Sequence, residues 1–364
     1  MTRRLWLALA LALLAGMTLG TQSEDDPARH PWYVFHQRST DAIPLDRLIF
    51  LDMLTGQEIA VRVDGERYTP VRDAVLYFDR SQQQVMLATP DGERRPHPFI
   101  RMAPGEQRVD WVIAPDERTI AWTVTRADSA GRLITATYVG SSTADTRLVL
   151  EDGPYDVGIR ALPVAFSEDQ SQLYMDYHPD GVSQFIVYDQ YASIFSVDLE
   201  TGETSLMPDE PANCICGAAL AKNRFLRMRL TADLEGFDLY VYNIGGTLAH
   251  QIDAIRTDRY DTGGDILISP DGRQAVYALT RLDGTGDDLA TRSAVVLVDL
   301  EMLTQRVLVD SITTFVRPVE WTEDNSAVIF TSPMQDGTWK INLRDRRLER
   351  MASATYIGVL RRER

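Results

Sequence analysis

The sequence predicts an all-β fold, a β-propeller built from four-stranded antiparallel blades, and three observations support this class. A strand–turn–strand segment recurs along the chain at a nearly constant step. Each copy is followed by a second pair of short apolar runs that are joined by a turn. After residue 20, no long stretch shows the periodicity of an amphipathic helix.

The recurring segment is clearest at residues 266–279, where the turn Ser-Pro-Asp-Gly separates two apolar runs. Its turn aspartate, Asp271, has counterparts at Asp116, Asp169 and Asp324, and a weaker copy has Lys222 in that place. The steps between these five positions are 53, 53, 49 and 53 residues. A step this regular indicates one supersecondary unit that is used repeatedly.

The second half of each unit supplies two further strands. Residues 194–203 and 296–304 read as a strand, a turn and the start of another strand, and residues 49–57 match them. A single four-stranded sheet cannot bury its apolar faces, whereas sheets packed radially around an axis bury both. Five regular units therefore predict five blades of a ring.

The two ends of the chain complete the ring. Residues 33–63 contain three strands and residues 356–360 contain a lone strand, so the chain ends are predicted to share one blade. Residues 70–103 supply a compressed blade. The prediction is seven blades, with six or eight as alternatives because the first hundred residues are poorly periodic.

The turn and strand motifs resemble those of a known family. Ser269–Gly272, Ala114–Asp116 and Val197–Gly202 are similar to the TolB-like, WD-like propeller repeat of exported bacterial proteins. The resemblance covers residues 105–350 well and residues 33–104 loosely. It implies the propeller fold, but it implies no single activity, because that family includes binding, scaffolding and enzyme-associated propellers.

The N-terminus predicts export. Arg3 and Arg4 precede the apolar run Leu5–Ala15, and small residues lie near Gly20, which is the pattern of a cleaved signal peptide. We expect a signal peptide at residues 1–20, a flexible linker at 21–31 and one propeller domain at 32–364. The expected location is periplasmic, cell-surface or extracellular; an uncleaved membrane anchor is the alternative.

The charge restricts the partners. A formal net charge of −16 repels phosphate backbones and anionic lipid heads, which argues against nucleic-acid and membrane-surface binding. We expect a monomer, with no membrane span after signal cleavage, that meets a protein or glycan partner in the cell envelope.

Cys214 and Cys216 are the two cysteines, and a single residue separates them. Positions i and i+2 of a strand lie near the outer limit of disulfide reach, so two interpretations stay open: buried unbonded thiols, or a strained bond. We favour buried thiols. No further Cys or His with ligand spacing is near, so no metal site is predicted.

The sequence offers no catalytic motif. The Gly-x-Ser-x-Gly nucleophile pattern is absent, the five histidines are isolated, and the many carboxylates mostly fall at turns, where aspartate stabilises the backbone. We therefore predict no catalytic residue and no cofactor. The leading hypothesis is a non-enzymatic binding or scaffold module, and the alternative is a polysaccharide hydrolase or lyase with its site at the central channel.

One set of loops is longer and more acidic than the other. Loops between the second and third strands share one face of the ring, and they contain the candidate binding residues Asp180, Asp233, Asp283, Asp287 and Asp288. This acidic face is explained either as ordinary solvated loops or as a site for a cation or a basic partner. Calcium is a weak alternative, because the spacing matches no recognised calcium loop.

Overall fold

The computed structural model describes residues 31–39, 45–155, 158–179, 188–244, 248–255, 260–283 and 290–360. The side chains of Ala249, Asp283 and Ser311 are not described. The predicted signal peptide and all but the last residue of the predicted linker lie outside these ranges.

The described residues form 28 strands in seven four-stranded antiparallel sheets. We number the sheets as blades 1 to 7 in chain order. Blade 1 contains β28 (Thr355–Leu360), β1 (Trp32–Gln37), β2 (Asp46–Asp52) and β3 (Glu58–Val63). Blade 2 contains β4 (Gly65–Val71), β5 (Ala74–Asp79), β6 (Gln84–Ala88) and β7 (Arg94–Pro96). Blade 3 contains β8 (Glu106–Ile113), β9 (Ile120–Ala127), β10 (Leu133–Gly140) and β11 (Arg147–Tyr155).

Blade 4 contains β12 (Ile159–Phe166), β13 (Gln172–Pro179), β14 (Ile194–Asp198) and β15 (Thr204–Leu206). Blade 5 contains β16 (Ala218–Ala221), β17 (Arg224–Leu230), β18 (Phe237–Asn243) and β19 (Leu248–Ile252). Blade 6 contains β20 (Thr262–Ile268), β21 (Gln274–Asp283), β22 (Ala290–Asp299) and β23 (Thr304–Ile312). Blade 7 contains β24 (Arg317–Trp321), β25 (Ala327–Thr331), β26 (Thr338–Asn342) and β27 (Leu348–Ala352).

The predicted seven-bladed ring and its closure are confirmed. β28 pairs with β1, with Trp32 opposite Leu360 and Val34 opposite Gly358, so both chain ends contribute to blade 1. The compressed blade is displaced from its predicted limits of 70–103. It spans residues 65–96, because the polar segment at 65–70 pairs with β5 although it lacks an apolar alternation.

The core lies between neighbouring blades. Trp122 of β9 packs with the apolar side chains of blade 2, Tyr277 of β21 with those of blade 5, and Phe330 of β25 with those of blade 6. All three rings are buried. Radial stacking thus removes from water the faces that a lone sheet would expose.

The recurring aspartate of the sequence repeat lies in the turn between the first and second strands of a blade. In blade 3, the Asp116 carboxylate accepts hydrogen bonds from the backbone N–H groups of Arg118 and Thr119, both at 2.9 Å. Asp169, Asp271 and Asp324 bond their own turns in the same way. Such local bonds explain why aspartate recurs there.

The antiparallel order gives the ring two faces. We call the face with the first-to-second and third-to-fourth strand connections the turn face. The loop face has the second-to-third connections and the links between blades. Several first strands contain a bulge, and at Arg67 and Asp265 the bulge residue has a positive φ of 58° and 51°. Bulges of this kind redirect side chains near functional sites.

Candidate functional site

The predicted acidic face is described in part only. Asp233 accepts a hydrogen bond from the Thr231 hydroxyl at 2.6 Å and one from the Glu235 backbone N–H at 3.3 Å, so it stabilises its own turn. Asp180, Asp287 and Asp288 lie outside the described residues, as does the side chain of Asp283. Binding of a cation or a basic partner at this face stays a prediction.

The favoured interpretation of the cysteines is wrong. Cys214 and Cys216 form a disulfide, with their Cα atoms 5.4 Å apart. The argument against a bond assumed an extended strand. Both residues instead lie in the irregular connection between β15 and β16, where the backbone brings the two side chains together.

A short segment spans the loop face. Residues 188–191, which we call the strap, belong to the second-to-third connection of blade 4, yet they contact blade 6. The Tyr188 hydroxyl hydrogen-bonds the Thr280 hydroxyl, and the side chain of Gln190 donates to the Gly263 carbonyl at 3.2 Å. A Cβ on Gly264 would lie 2.7 Å from the Tyr188 Cβ, so only glycine permits this approach.

An ion-pair triad fixes the strap to blades 6 and 7. Arg317 of β24 donates to Asp265 of β20 at 2.6 Å and pairs with Asp189 of the strap at 2.7 Å. The Asp189 backbone N–H also donates to Asp265, at 2.8 Å. Burial raises the pKa of Asp265 to about 6 against the opposing effect of Arg317, and the two carboxylates raise the pKa of Arg317.

A buried ion pair holds the other end of the strap. Arg227 of β17 pairs with Glu210 at 2.8 Å, and neither side chain is exposed. The same guanidinium donates to the carbonyl oxygens of Tyr191, at 2.8 Å, and Cys216, at 2.5 Å. Burial lowers the pKa of Arg227 and raises that of Glu210, although each partner opposes the shift of the other. The strap and the disulfide-bonded connection are thereby clamped together.

The strap forms one wall of a cleft of about 320 Å³ at the channel mouth, which we call the channel cleft. The first strands of blades 3 and 4 form the opposite wall. Its polar lining consists of Arg108, Asp176, His178, Tyr188, Asp189, Gln190 and Tyr191. The geometry gathers charged, amide and phenol groups from three separate parts of the chain around one concave surface.

The charged side chains of the cleft form hydrogen bonds and ion pairs with neighbouring groups. Asp176 accepts hydrogen bonds from the Ala192 and Ser193 backbone N–H groups at 3.0 and 2.8 Å. Arg108 forms a forked contact with Asp110, which also pairs with Arg67 of β4. Arg108 and Asp189 thus bring one positive and one negative side chain to the lining, and their ion-pair partners Asp110 and Arg317 lie outside it.

The described histidines form no cluster that could hold a metal ion. His178 lies 3.3 Å from Asp176, and His36 of β1 lies 3.0 Å from Asp46. His97 accepts the Ile100 backbone N–H, and burial lowers its pKa to about 4. Within the described ranges, no three or more His, Cys, Asp and Glu side chains come together to hold a metal ion.

No described helix has both the length and the apolar character needed to cross a bilayer.

No protein-family model and no curated protein sequence matches the chain. Solved structures do match it. One is a puromycin-hydrolysing peptidase of Mycobacterium tuberculosis, with a TM-score of 0.54 and 13% identity over 89% of this chain and 53% of that one. An oligogalacturonate lyase in complex with manganese has a TM-score of 0.52 and 13% identity over 89% and 86% of the two chains.

A protein described as putative TolB, from Agrobacterium tumefaciens, has 15% identity over 78% of this chain and 89% of that one. Its TM-score of 0.42 is too low to add an argument. The propeller fold that the TolB-like resemblance implied is nevertheless present. At identities this low, similarity to solved structures shows the fold alone, and that fold is a seven-bladed β-propeller.

Proposed function

We propose that the protein is an exported, non-enzymatic propeller that binds a protein or glycan partner in the cell envelope through the channel cleft. The observation that supports this proposal is the pair of opposite charges in the cleft lining, Arg108 and Asp189, each of which is held by an ion pair with a residue outside the cleft. Concave sites with a few fixed polar groups are typical of binding proteins, because little ordering is needed on association.

The same geometry disfavours catalysis. A general acid or base must exchange a proton with a substrate, and a nucleophile must reach it. Asp176 is 2% exposed and bonded to two backbone N–H groups, whereas Asp189 is paired with Arg317. These contacts give no support to the hydrolase or lyase alternative at the channel.

Export is tested by expressing the full chain in a bacterial host and measuring the intact mass of the protein from each cell fraction. We expect the protein in the envelope or medium with residues 1–20 removed. A protein that stays in the cytoplasm with its first residues intact would contradict the export part of the proposal.

Binding is tested by affinity capture from envelope extract, with Arg108→Ala as the cleft variant and Arg273→Ala, at an exposed turn-face ion pair, as the control. We expect one partner to be retained by the wild type and by Arg273→Ala but lost by Arg108→Ala. Equal capture by all three proteins would place binding elsewhere. Turnover of envelope polysaccharide that Asp176→Asn abolishes would favour the enzyme.

A further inference from the structure

The turn of blade 5 differs in sequence from the turns of the other repeats, and a groove lies beside it. Lys222 stands where four other units have the turn aspartate. Lys222 and Asn223 both have positive φ, at 53° and 55°, so the blade 5 turn has a different conformation. Lys222 reaches across to blade 4 and pairs with Glu168 at 3.0 Å.

The groove lies on the turn face between blades 4 and 5, opposite the channel cleft, and we call it the seam groove. Its volume is about 390 Å³. Phe166, Leu220 and Ile244 contribute apolar surface, and Tyr174 of β13 lines it as well. The polar lining comprises Ser167, Glu168, Asp169, Ser171, Gln172, Lys222 and Asn223.

The Tyr174 hydroxyl has no hydrogen-bond partner, although the residue is only 1% exposed. Two comparable buried phenols are bonded: Tyr242 donates to Asp209 at 2.8 Å, and Tyr277 donates to Gln305 at 2.7 Å. The buried hydroxyl of Tyr77 also lacks a partner, but Tyr77 does not line the groove. A buried hydroxyl without a partner is unfavourable, because it has given up its hydrogen bonds to water. A ligand hydroxyl in the groove would supply the partner that the protein does not.

The charges of the groove indicate a neutral ligand. Lys222 and Glu168 neutralise each other, and the Asp169 carboxylate is occupied by the hydroxyls of Ser167 and Ser171. The groove thus offers no unpaired cation for a carboxylate or phosphate group. The side chains of Lys222 and Glu168 are 44% and 46% exposed, so they have room to rotate when a ligand enters.

From this arrangement we propose that the seam groove binds a neutral sugar residue of a glycan. The apolar face of a pyranose ring packs on the floor formed by Phe166, Leu220 and Ile244, while its hydroxyls bond Tyr174, Gln172 and Asn223. The inference names a ligand class and a second site, and it does not depend on the channel cleft.

The decisive variant is Tyr174→Phe, which removes only the unpartnered oxygen. The probes are glucose, galactose, N-acetylglucosamine and their β-linked trisaccharides, measured by saturation-transfer NMR and calorimetry. We expect millimolar or tighter binding of at least one neutral sugar, and a five- to tenfold rise in its Kd in Tyr174→Phe, since a lost hydrogen bond is worth about 1 kcal/mol. Tyr174→Phe itself should fold with unchanged or higher stability.

Two control variants separate the two sites. Tyr277→Phe removes a bonded hydroxyl outside the groove, and Arg108→Ala alters the channel cleft; both should leave sugar binding unchanged. The proposal is overturned if no neutral sugar binds, if only uronic acids bind, or if Tyr174→Phe binds sugar as the wild type does. None of these results bears on partner capture through the channel cleft.

Discussion

At the residue scale, Arg227 fixes one end of the strap in place. Its guanidinium is fully buried and meets a carboxylate and two carbonyl oxygens, from Glu210, Tyr191 and Cys216. Arginine suits this role because its donors have a fixed planar geometry that reaches several acceptors at once. Removing it would leave a buried carboxylate and two carbonyls to find other partners.

We expect Arg227→Met to lower the free energy of unfolding by about 3–5 kcal/mol, because it leaves the Glu210 charge buried without its ion-pair partner. Urea denaturation followed by circular dichroism measures the change. The control is Arg273→Met, at an exposed pair with Glu301, which should cost less than about 1 kcal/mol. A single variant with a wild-type midpoint would contradict the buried pair.

Asp265 makes stability depend on pH in an unusual direction. Burial raises the pKa of its carboxyl from 3.8 to about 6, and the titratable groups near it include Arg317, Asp189, Tyr188 and Tyr191. Between about pH 4 and 6 the folded state holds a proton there that the unfolded state has released. This residue therefore stabilises the fold as the pH falls through that window, and the contribution is lost above about pH 6.

In Asp265→Asn this contribution should disappear. Between pH 4 and 6 the unfolding free energy of the variant should therefore change by up to about 3 kcal/mol less than that of the wild type. Asparagine tolerates the positive φ of this position, so the backbone need not move. Denaturation curves at several pH values measure the effect. Asp271→Asn, at an exposed turn, should keep the wild-type slope in this window; an identical slope for Asp265→Asn would disprove the assignment.

At the element scale, the sequence predicted regular structure well because its signals are local. The turn aspartates bond backbone groups two or three residues away, as Asp116 does with Arg118 and Thr119, so each turn leaves a short motif at a fixed step. Strand alternation is equally local. These two signals were enough to predict five units and the shared blade of the chain ends.

The strap could not be predicted in the same way. Tyr188 bonds Thr280, which is 92 residues away, and Asp189 bonds Asp265, which is 76 residues away. No periodic pattern connects such partners, because an irregular segment is positioned by the ring that it spans. The channel cleft therefore could be identified only from the three-dimensional structure.

The disulfide belongs to this scale, because it shapes one connection. Cys214 and Cys216 enclose a single residue, so the bond removes little freedom from the unfolded chain. We expect Cys214→Ala/Cys216→Ala to lower the unfolding free energy by on the order of 1–2 kcal/mol by the chain-entropy estimate. Urea denaturation measures the loss, and thiol alkylation before and after reduction confirms the bond. A loss above about 4 kcal/mol would show a larger structural role.

At the scale of the whole molecule, closure depends on one strand. β28 contributes the first strand of blade 1, and β1 to β3 contribute the other three. The ends of the described chain, Pro31 and Leu360, thus stand where every other blade has its first-to-second turn. Without β28, both β1 and the first strand of blade 2 would lose a neighbour, and the ring would have an exposed edge.

A circular permutant tests this view. We expect a chain that joins Leu360 to Trp32 by a short Gly-Ser linker, and opens between Asp271 and Gly272, to fold with a Tm within about 5 °C of the wild type. Blade 6 would then be shared by the new ends as blade 1 is now. Thermal unfolding by circular dichroism is the measurement. Deletion of residues 355–364 should instead give an aggregating chain, and a stable monomer from that deletion would refute the closure argument.

The division of blade 1 between the two termini also sets the timing of folding. Blades 2 to 7 can assemble as an open arc before the ring closes, but the unpaired edge of β1 must wait for β28. The ring thus stays open until β28 has paired with β1. A ribosome that stalls or stops before residue 355 releases an unsealed arc, which quality-control proteases can recognise by its free edge.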